Sequence, residues 1–151
     1  MLYTKSGEIF ASGVLPIQFQ PVNAKDSSTR LFIPIELEGF STMGVVDTGA
    51  PYLICAPSMA NILQPNLGPS LGREALLIRG VRIGGNLHRV KMNLTAIEGE
   101  HLSFEVTAFI PDVDEEAWRT LPTFLGLTGC LERLRFAIDP IEDRFYFGAL
   151  A

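Results

Sequence analysis

One short segment constrains this chain more than any other, the hexapeptide Val45-Val46-Asp47-Thr48-Gly49-Ala50. Two β-branched apolar residues predict the end of a buried strand, and glycine permits the tight turn that would present the aspartate carboxylate. The threonine hydroxyl could fix this loop by bonding to the main chain. An ordinary turn built around aspartate would use the same tripeptide, so the rest of the chain must decide between the two interpretations.

Length and charge set the first limits. A chain of 151 residues corresponds to about one domain, and its net charge of −5 argues against nucleic acid or an anionic membrane as a partner. Residues 1–19 lack the basic start and the continuous apolar core of a signal peptide, and no apolar run is long enough to span a membrane. We therefore expect a cytoplasmic protein.

The apolar pattern is mostly that of β-strands. Short alternating segments predict an all-β chain in one domain. Two short helices are expected, at Ala56–Leu63 and Thr128–Leu134, with a brief helical turn at Asp114–Arg119.

Two hairpins stand out in this pattern. A long hairpin is predicted over residues 75–94, with Gly80, Gly84 and Gly85 between its arms. A second one, near the C-terminus, would turn through Asp139-Pro140. The two cysteines, Cys55 and Cys130, lie in apolar surroundings and are interpreted as buried thiols rather than as a disulfide framework.

Other candidate sites have simpler explanations. The glycines of residues 80–85 lack the spacing of a phosphate-binding loop, so a hairpin turn is favoured. His88 and His101 are far apart and lack the spacing of metal ligands. Acidic residues at 112 and 114–116 fit the solvated start of a helix better than a cation site. The sequence therefore implies no metal and no organic cofactor.

Three features in a fixed order resemble the retropepsin-like aspartic proteases. They are the Asp-Thr-Gly-Ala loop, a later glycine-containing hairpin with Ile83-Gly84-Gly85, and the apolar segment Phe124-Leu125-Gly126 followed by Leu131 to Phe136. The resemblance covers about residues 31–148, and it implies that these residues form the core of the domain, preceded by an N-terminal extension of residues 1–30. It implies a retropepsin-like acid-protease barrel with two short helices and a flap hairpin, and a homodimer that hydrolyses peptide or protein substrates.

The resemblance also implies a role for each matching residue. Asp47 would be the catalytic aspartate, and a second copy of the chain would supply the other carboxylate. Thr48 would join the two loops across the dimer axis, Gly49 would accept the substrate backbone and Ala50 would line the cleft. The active site would be completed by flap residues that close over the peptide, with the flap tip near two glycines (Ile83, Gly84, Gly85).

Two alternatives stay open at this point. The same fold can serve as a dimerising or peptide-binding module without cleavage, although such a module would usually lose the aspartate. A latent precursor, in which residues 1–30 occupy the cleft until they are removed, is also compatible with the sequence.

Overall fold

The computed structural model describes residues 1–112 and 120–150, and over these residues the chain is built almost entirely of β-strands. The predicted all-β class is confirmed. The strands, in chain order, are β1 (Leu2–Tyr3), β2 (Ile9–Ala11), β3 (Gly13–Pro16), β4 (Gln18–Asn23), β5 (Asp26–Leu37), β6 (Phe40–Val46), β7 (Leu53–Ile54), β8 (Gly72–Ile78), β9 (Val81–Leu94), β10 (Glu98–Gly99), β11 (Leu102–Pro111), β12 (Thr123–Leu125), β13 (Arg135–Asp139) and β14 (Arg144–Gly148).

The helical content is small. Helix α1 (Pro57–Leu63) confirms the first predicted helix, and proline in its first turn suits that position because its missing N–H has no partner there anyway. The second predicted helix is shorter than expected, a single 3-10 turn at Leu131–Arg133. Gly129, with φ of +68°, interrupts the helical path before it. A further 3-10 turn spans Gln64–Asn66, and the expected helical turn at Asp114–Arg119 lies outside the described residues.

The larger sheet has eight strands in the order β4-β5-β6-β12-β7-β11-β9-β8. An additional pairing between β5 and β9 curls the sheet back on itself. Strand β12 runs parallel to β6 and antiparallel to β7. A strand from late in the chain therefore lies directly beside the one that ends at Val46, just before Asp47.

Pro34 lies where β5 changes neighbours. Strand β4 pairs with β5 up to Phe32, and β9 pairs with it from Glu36 onward. Proline has no N–H to donate to a neighbouring strand, and at this position neither β4 nor β9 pairs with β5. Strand β5 thus switches its pairing partner at this proline.

Residues 1–30, predicted to be an extension, are built into the sheets. Strand β3 is an inner strand of a four-stranded sheet with the order β10-β3-β14-β13. Ala11, Val14 and Leu15 are at most 2% exposed. The N-terminal segment therefore contributes core residues and pairs with the C-terminal strand.

Two groups of buried residues fill the interior. The larger lies between the sheets and helix α1, and it includes the free thiols of Cys55 and Cys130, each of which is fully buried. Burial raises the pKa of both thiols to about 12, so neither is a ready nucleophile. The smaller group, around Ile54, Ile83, Phe109 and Leu121, lies beneath the loop of Asp47 and the β8–β9 hairpin.

Among the described helices, none is long and apolar enough to cross a membrane.

Candidate active site

Asp47 follows the last residue of β6, and backbone hydrogen bonds fix its position. Its N–H donates to the carbonyl oxygen of Leu125 on the neighbouring parallel strand, at 3.0 Å. The Gly49 N–H donates to Oδ1 of Asp47 at 3.0 Å, and the Ala50 N–H donates to the Asp47 carbonyl at 3.2 Å. The loop is thus a turn closed around its own carboxylate, with one carboxylate oxygen held by main chain.

Gly126 supports this loop from behind. Its N–H donates to the Tyr52 carbonyl at 2.7 Å, and the next N–H, that of Leu127, donates to the Ala50 carbonyl at 2.7 Å. A β-carbon at position 126 would lie 2.1 Å from the oxygen of Tyr52 and 2.6 Å from that of Ala50. Only glycine therefore lets the two segments approach so closely.

The four loop residues named from the sequence lie together on an open face. Thr48 and Gly49 are exposed, whereas Asp47 and Ala50 are half-buried. The Thr48 hydroxyl has no hydrogen-bond partner among the described residues of this chain. The loop therefore places a partly exposed carboxylate and an exposed hydroxyl at the protein surface.

A groove of about 290 Å³ opens beside Asp47. It lies under the end of the β8–β9 hairpin, and its lining is polar and apolar in nearly equal parts. Among the described residues that line it, Asp47 is the one with an acidic side chain. The lining consists of Arg30, Asp47, Gly49, Ala50, Pro51, Ile54, Leu76, Leu77, Ile78, Arg79 and Phe124.

The predicted hairpin is present, but its tip is not where the glycines suggested. Strand β8 pairs with β9 in a register that joins Ile78 to Val81, so the turn consists of Arg79 and Gly80, with φ of +50° and +81°. Two central residues with positive φ are the signature of a type I′ turn.

The expectation of a flap tip at Gly84 and Gly85 is therefore wrong. Both residues lie inside β9, and Ile83 is a buried residue of the smaller core. Gly85 is needed for close packing, since a β-carbon there would lie 2.4 Å from the carbonyl oxygen of Ile110. Of the hairpin residues, those from Leu76 to Arg79 line the groove instead.

Tyr52 connects the loop of Asp47 to this hairpin. Its hydroxyl donates to Oε1 of Glu74 on β8 at 2.6 Å, and the carboxylate raises the pKa of the phenol. Tyr52 has φ of +58°, a left-handed conformation that costs energy in a residue other than glycine. The strained backbone is held by hydrogen bonds of its N–H to Thr128 and of its carbonyl to Gly126.

Two arginines stand at the rim of the groove and share one carboxylate. Nη2 of Arg79, in the hairpin turn, lies 2.9 Å from Oδ2 of Asp26, while Nη2 of Arg30 lies 3.8 Å from the same oxygen. Hydrogen bonds from the hydroxyl and the N–H of Ser28 lower the pKa of Asp26, and Arg79 lowers it further. Asp26 is therefore ionised near neutral pH.

The sequence did not identify these groove residues, apart from the loop itself. The dipeptide Arg79-Gly80 between two apolar runs was a usable hairpin signal that the neighbouring glycines concealed. Arg30 and Glu74 carry no local signal, because only long-range strand pairing brings them to the groove and its hairpin.

The remaining polar candidates have structural partners. Nδ1 of His88 lies 3.0 Å from the Gly68 carbonyl, and Nδ1 of His101 lies 2.9 Å from the Ala96 nitrogen. Asp112 pairs with Arg73, whose hydrogen bonds lower the pKa of that carboxyl. Over residues 1–112 and 120–150 no group of three or more histidine, cysteine, aspartate or glutamate side chains could hold a metal ion.

Comparison with known proteins yields a structural likeness and no sequence match. No family model matches the chain, and no curated protein does. The chain is similar to the crystal structure of a retropepsin-like aspartic protease from Rickettsia conorii, with a TM-score of 0.49 and 17% identity, covering 91% of this chain and 92% of that one. A likeness at this level assigns neither an activity nor a catalytic residue.

Proposed function

We propose that this chain is an aspartic endopeptidase of the retropepsin-like type, active as a homodimer with Asp47 from each copy. One observation carries the proposal. The groove contains a single acidic side chain among the described residues that line it, and that side chain is held on an outward-facing loop. Peptide hydrolysis by an aspartyl dyad requires two carboxylates, so the second must come from another copy.

The chemistry follows from bringing two such carboxylates together. Two like charges a few ångströms apart cannot both ionise at low cost, so the pair holds one proton and titrates as a unit. The charged member would take a proton from water as that water attacks the scissile carbonyl, while the protonated member would polarise the carbonyl oxygen. The Gly49 N–H that donates to Oδ1 keeps the carboxylate oriented for this role.

The exposed loop also suits a twofold axis. Thr48 has a free hydroxyl, and Leu127, which follows the supporting glycine, is 43% exposed. An isologous contact places the same loop of both copies face to face, so each Thr48 could bond to the main chain of its partner. No charged side chain of residues 48–52 would be buried by such a contact.

The β8–β9 hairpin would cover a bound peptide. Leu76, Leu77 and Ile78 line the groove near the turn, and Leu77 is 76% exposed in the single chain. An exposed apolar side chain beside a carboxylate fits a surface that meets a ligand. Contact with a peptide would shield the dyad from bulk water and strengthen its electrostatic effects.

The test is digestion of a peptide library by the wild-type protein and by Asp47→Asn. We expect cleavage by the wild type and a loss of at least about 100-fold in the variant, because acid–base catalysis contributes about 10² to 10⁴. Glu142→Gln, at an exposed position of the C-terminal turn, removes the same charge and is the matched control. Cleavage by Asp47→Asn at the wild-type rate would contradict the proposed function.

The same experiment addresses the alternative of a peptide-binding module. Such a module would bind peptides about as well after the Asp47→Asn substitution as before it, and would release every peptide intact. Binding without turnover by a folded wild-type dimer, from acid to neutral pH, would therefore favour the module over the enzyme.

A further inference from the structure

The rim of the groove carries an excess of positive charge. Arg30 and Arg79 both approach Oδ2 of Asp26, and that residue is the sole carboxylate near either guanidinium among the described ion pairs. Oδ1 of Asp26 is occupied by Ser28. One carboxylate therefore serves two cations, in a chain whose overall charge is −5.

Arg30 is the less satisfied of the two. Its Nη2 is 3.8 Å from Asp26, beyond hydrogen-bond distance, and its guanidinium has no hydrogen-bond partner among the described residues. Its side chain is 46% exposed and it lines the groove together with Arg79. A guanidinium with open donors in a fixed fork matches a carboxylate with two oxygens.

Other residues of the groove favour an apolar ligand group rather than an acidic one. Ile54 is buried, Leu76, Ile78 and Phe124 are half-buried, and all four line the groove between Asp47 and the hairpin turn. Such walls favour an apolar side chain of a bound peptide. Apolar walls and a basic rim therefore lie within one groove of about 290 Å³.

The geometry points to a substrate preference that rests on the proposed function: a peptide with an apolar residue in the groove and a glutamate or aspartate close to it in sequence. The acidic side chain pairs with Arg30 and Arg79 at the rim, where it competes with Asp26. Arg30 and Arg79 are thus specificity-determining residues, and Asp26 sets how strongly they select.

Matched peptides test this preference. Peptide pools that contain Leu followed by Glu, or Leu followed by Gln, are compared for cleavage by the wild type and for binding to Asp47→Asn by fluorescence anisotropy. We expect the Glu pool to be preferred about 3- to 5-fold in both measurements, the upper part of the range of an exposed ion pair, because two guanidiniums are available. Equal cleavage and equal binding of the two pools would overturn the preference.

Three variants separate recognition from hairpin anchoring. Arg79→Gln and Arg30→Gln should each reduce the Glu-over-Gln ratio, whereas Asp26→Asn should increase it by freeing both guanidiniums. If Arg79 only anchored the hairpin through Asp26, then Arg79→Gln and Asp26→Asn would change the ratio in the same direction, which would overturn the assignment. Lys25→Gln removes an exposed positive charge from the turn between β4 and β5, next to Asp26 but outside the groove, and should leave the ratio unchanged.

The two measurements also distinguish this preference from the proposed function. A Glu preference in binding, with no cleavage of either pool, would support the role of the arginines and contradict the protease. Cleavage of both pools at equal rates, together with equal binding, would contradict the role of the arginines and support the protease.

Discussion

At the residue scale, the loop of Asp47 depends on the absence of a side chain at position 126. Gly126 lies between the carbonyl oxygens of Tyr52 and Ala50, where no β-carbon fits. The hydrogen bonds from residues 126 and 127 to those carbonyls hold the loop on which the carboxylate sits. Backbone packing therefore sets the position of the loop, and the Gly49 N–H holds one oxygen of the Asp47 carboxylate.

Gly126→Ala should destabilise the protein by about 3 kcal/mol, because overpacking against rigid backbone at 2.1 Å forces the loop to move. The free energy of unfolding in urea measures this. Gly68→Ala is the control, since nothing lies within 4 Å of a β-carbon there and the change should stay within about 0.5 kcal/mol. Equal stability of Gly126→Ala and wild type would contradict the account of the loop.

The sequence predicted the residues of this loop because they are contiguous. Each part can be recognised in a short segment of the sequence: the end of the strand, the aspartate and glycine of the loop, and the later pair Leu125-Gly126. The groove walls were not predictable in the same way, since Arg30, Ile54, Leu76 and Phe124 come from four separate strands. Only the pairing of those strands places them around one carboxylate.

At the scale of elements, the β8–β9 hairpin is held to the rest of the site at two points. One is the hydrogen bond from Tyr52 to Glu74, and the other is the ion pair of Arg79 with Asp26. The first partner, Tyr52, directly follows the groove residue Pro51, and the second, Asp26, lies on β5, the strand that carries Arg30. The hairpin and the Asp47 loop are thereby fixed relative to each other.

Tyr52→Phe should loosen the hairpin, because it removes the hydroxyl that bonds to Glu74 while it keeps the ring. We expect a loss of about 1 kcal/mol in local stability, typical of one hydrogen bond. Hydrogen exchange of the β8 backbone amides measures this, with the amides of the β13–β14 hairpin as an internal control. Exchange in β8 that matches the wild type would show that this bond does not hold the hairpin.

The hairpin also shows what sequence patterns leave undecided. Three glycines between two apolar arms predict a hairpin, but they do not say which one turns the chain. Gly80 adopts the positive φ of the turn, whereas position 85 requires glycine because the backbone of β11 leaves no room for a β-carbon. These two physical requirements are different but select the same residue type, and only the register of β8 with β9 distinguishes the two positions.

At the scale of the whole molecule, the N-terminal segment and the C-terminal strand share a sheet. Strand β3 lies between β10 and β14, and its residue Leu15 is in the main core. Of the described residues 1–30, only Arg30 lines the groove of Asp47. Strand β3 pairs with β14, and β4 pairs with β5 beside Arg30. This arrangement argues against a removable segment that blocks the cleft.

Deletion of residues 1–16 should therefore unfold the protein rather than activate it. The deletion removes an inner strand and buried residues such as Leu15, and each large core side chain is worth about 2 to 5 kcal/mol. Circular dichroism and thermal melting measure the outcome. Deletion of residues 1–5 is the control, because β1 pairs with β2 alone. A folded and more active product of the longer deletion would favour the latent precursor.

The most direct test of the central claim is a titration of wild-type chains with Asp47→Asn chains at constant total concentration, after subunit exchange is complete. If each site needs Asp47 from two copies, activity should follow the square of the wild-type fraction and fall to about a quarter at an equal mixture. Activity proportional to the wild-type fraction, about half at an equal mixture, would mean that one copy suffices and would contradict the shared site.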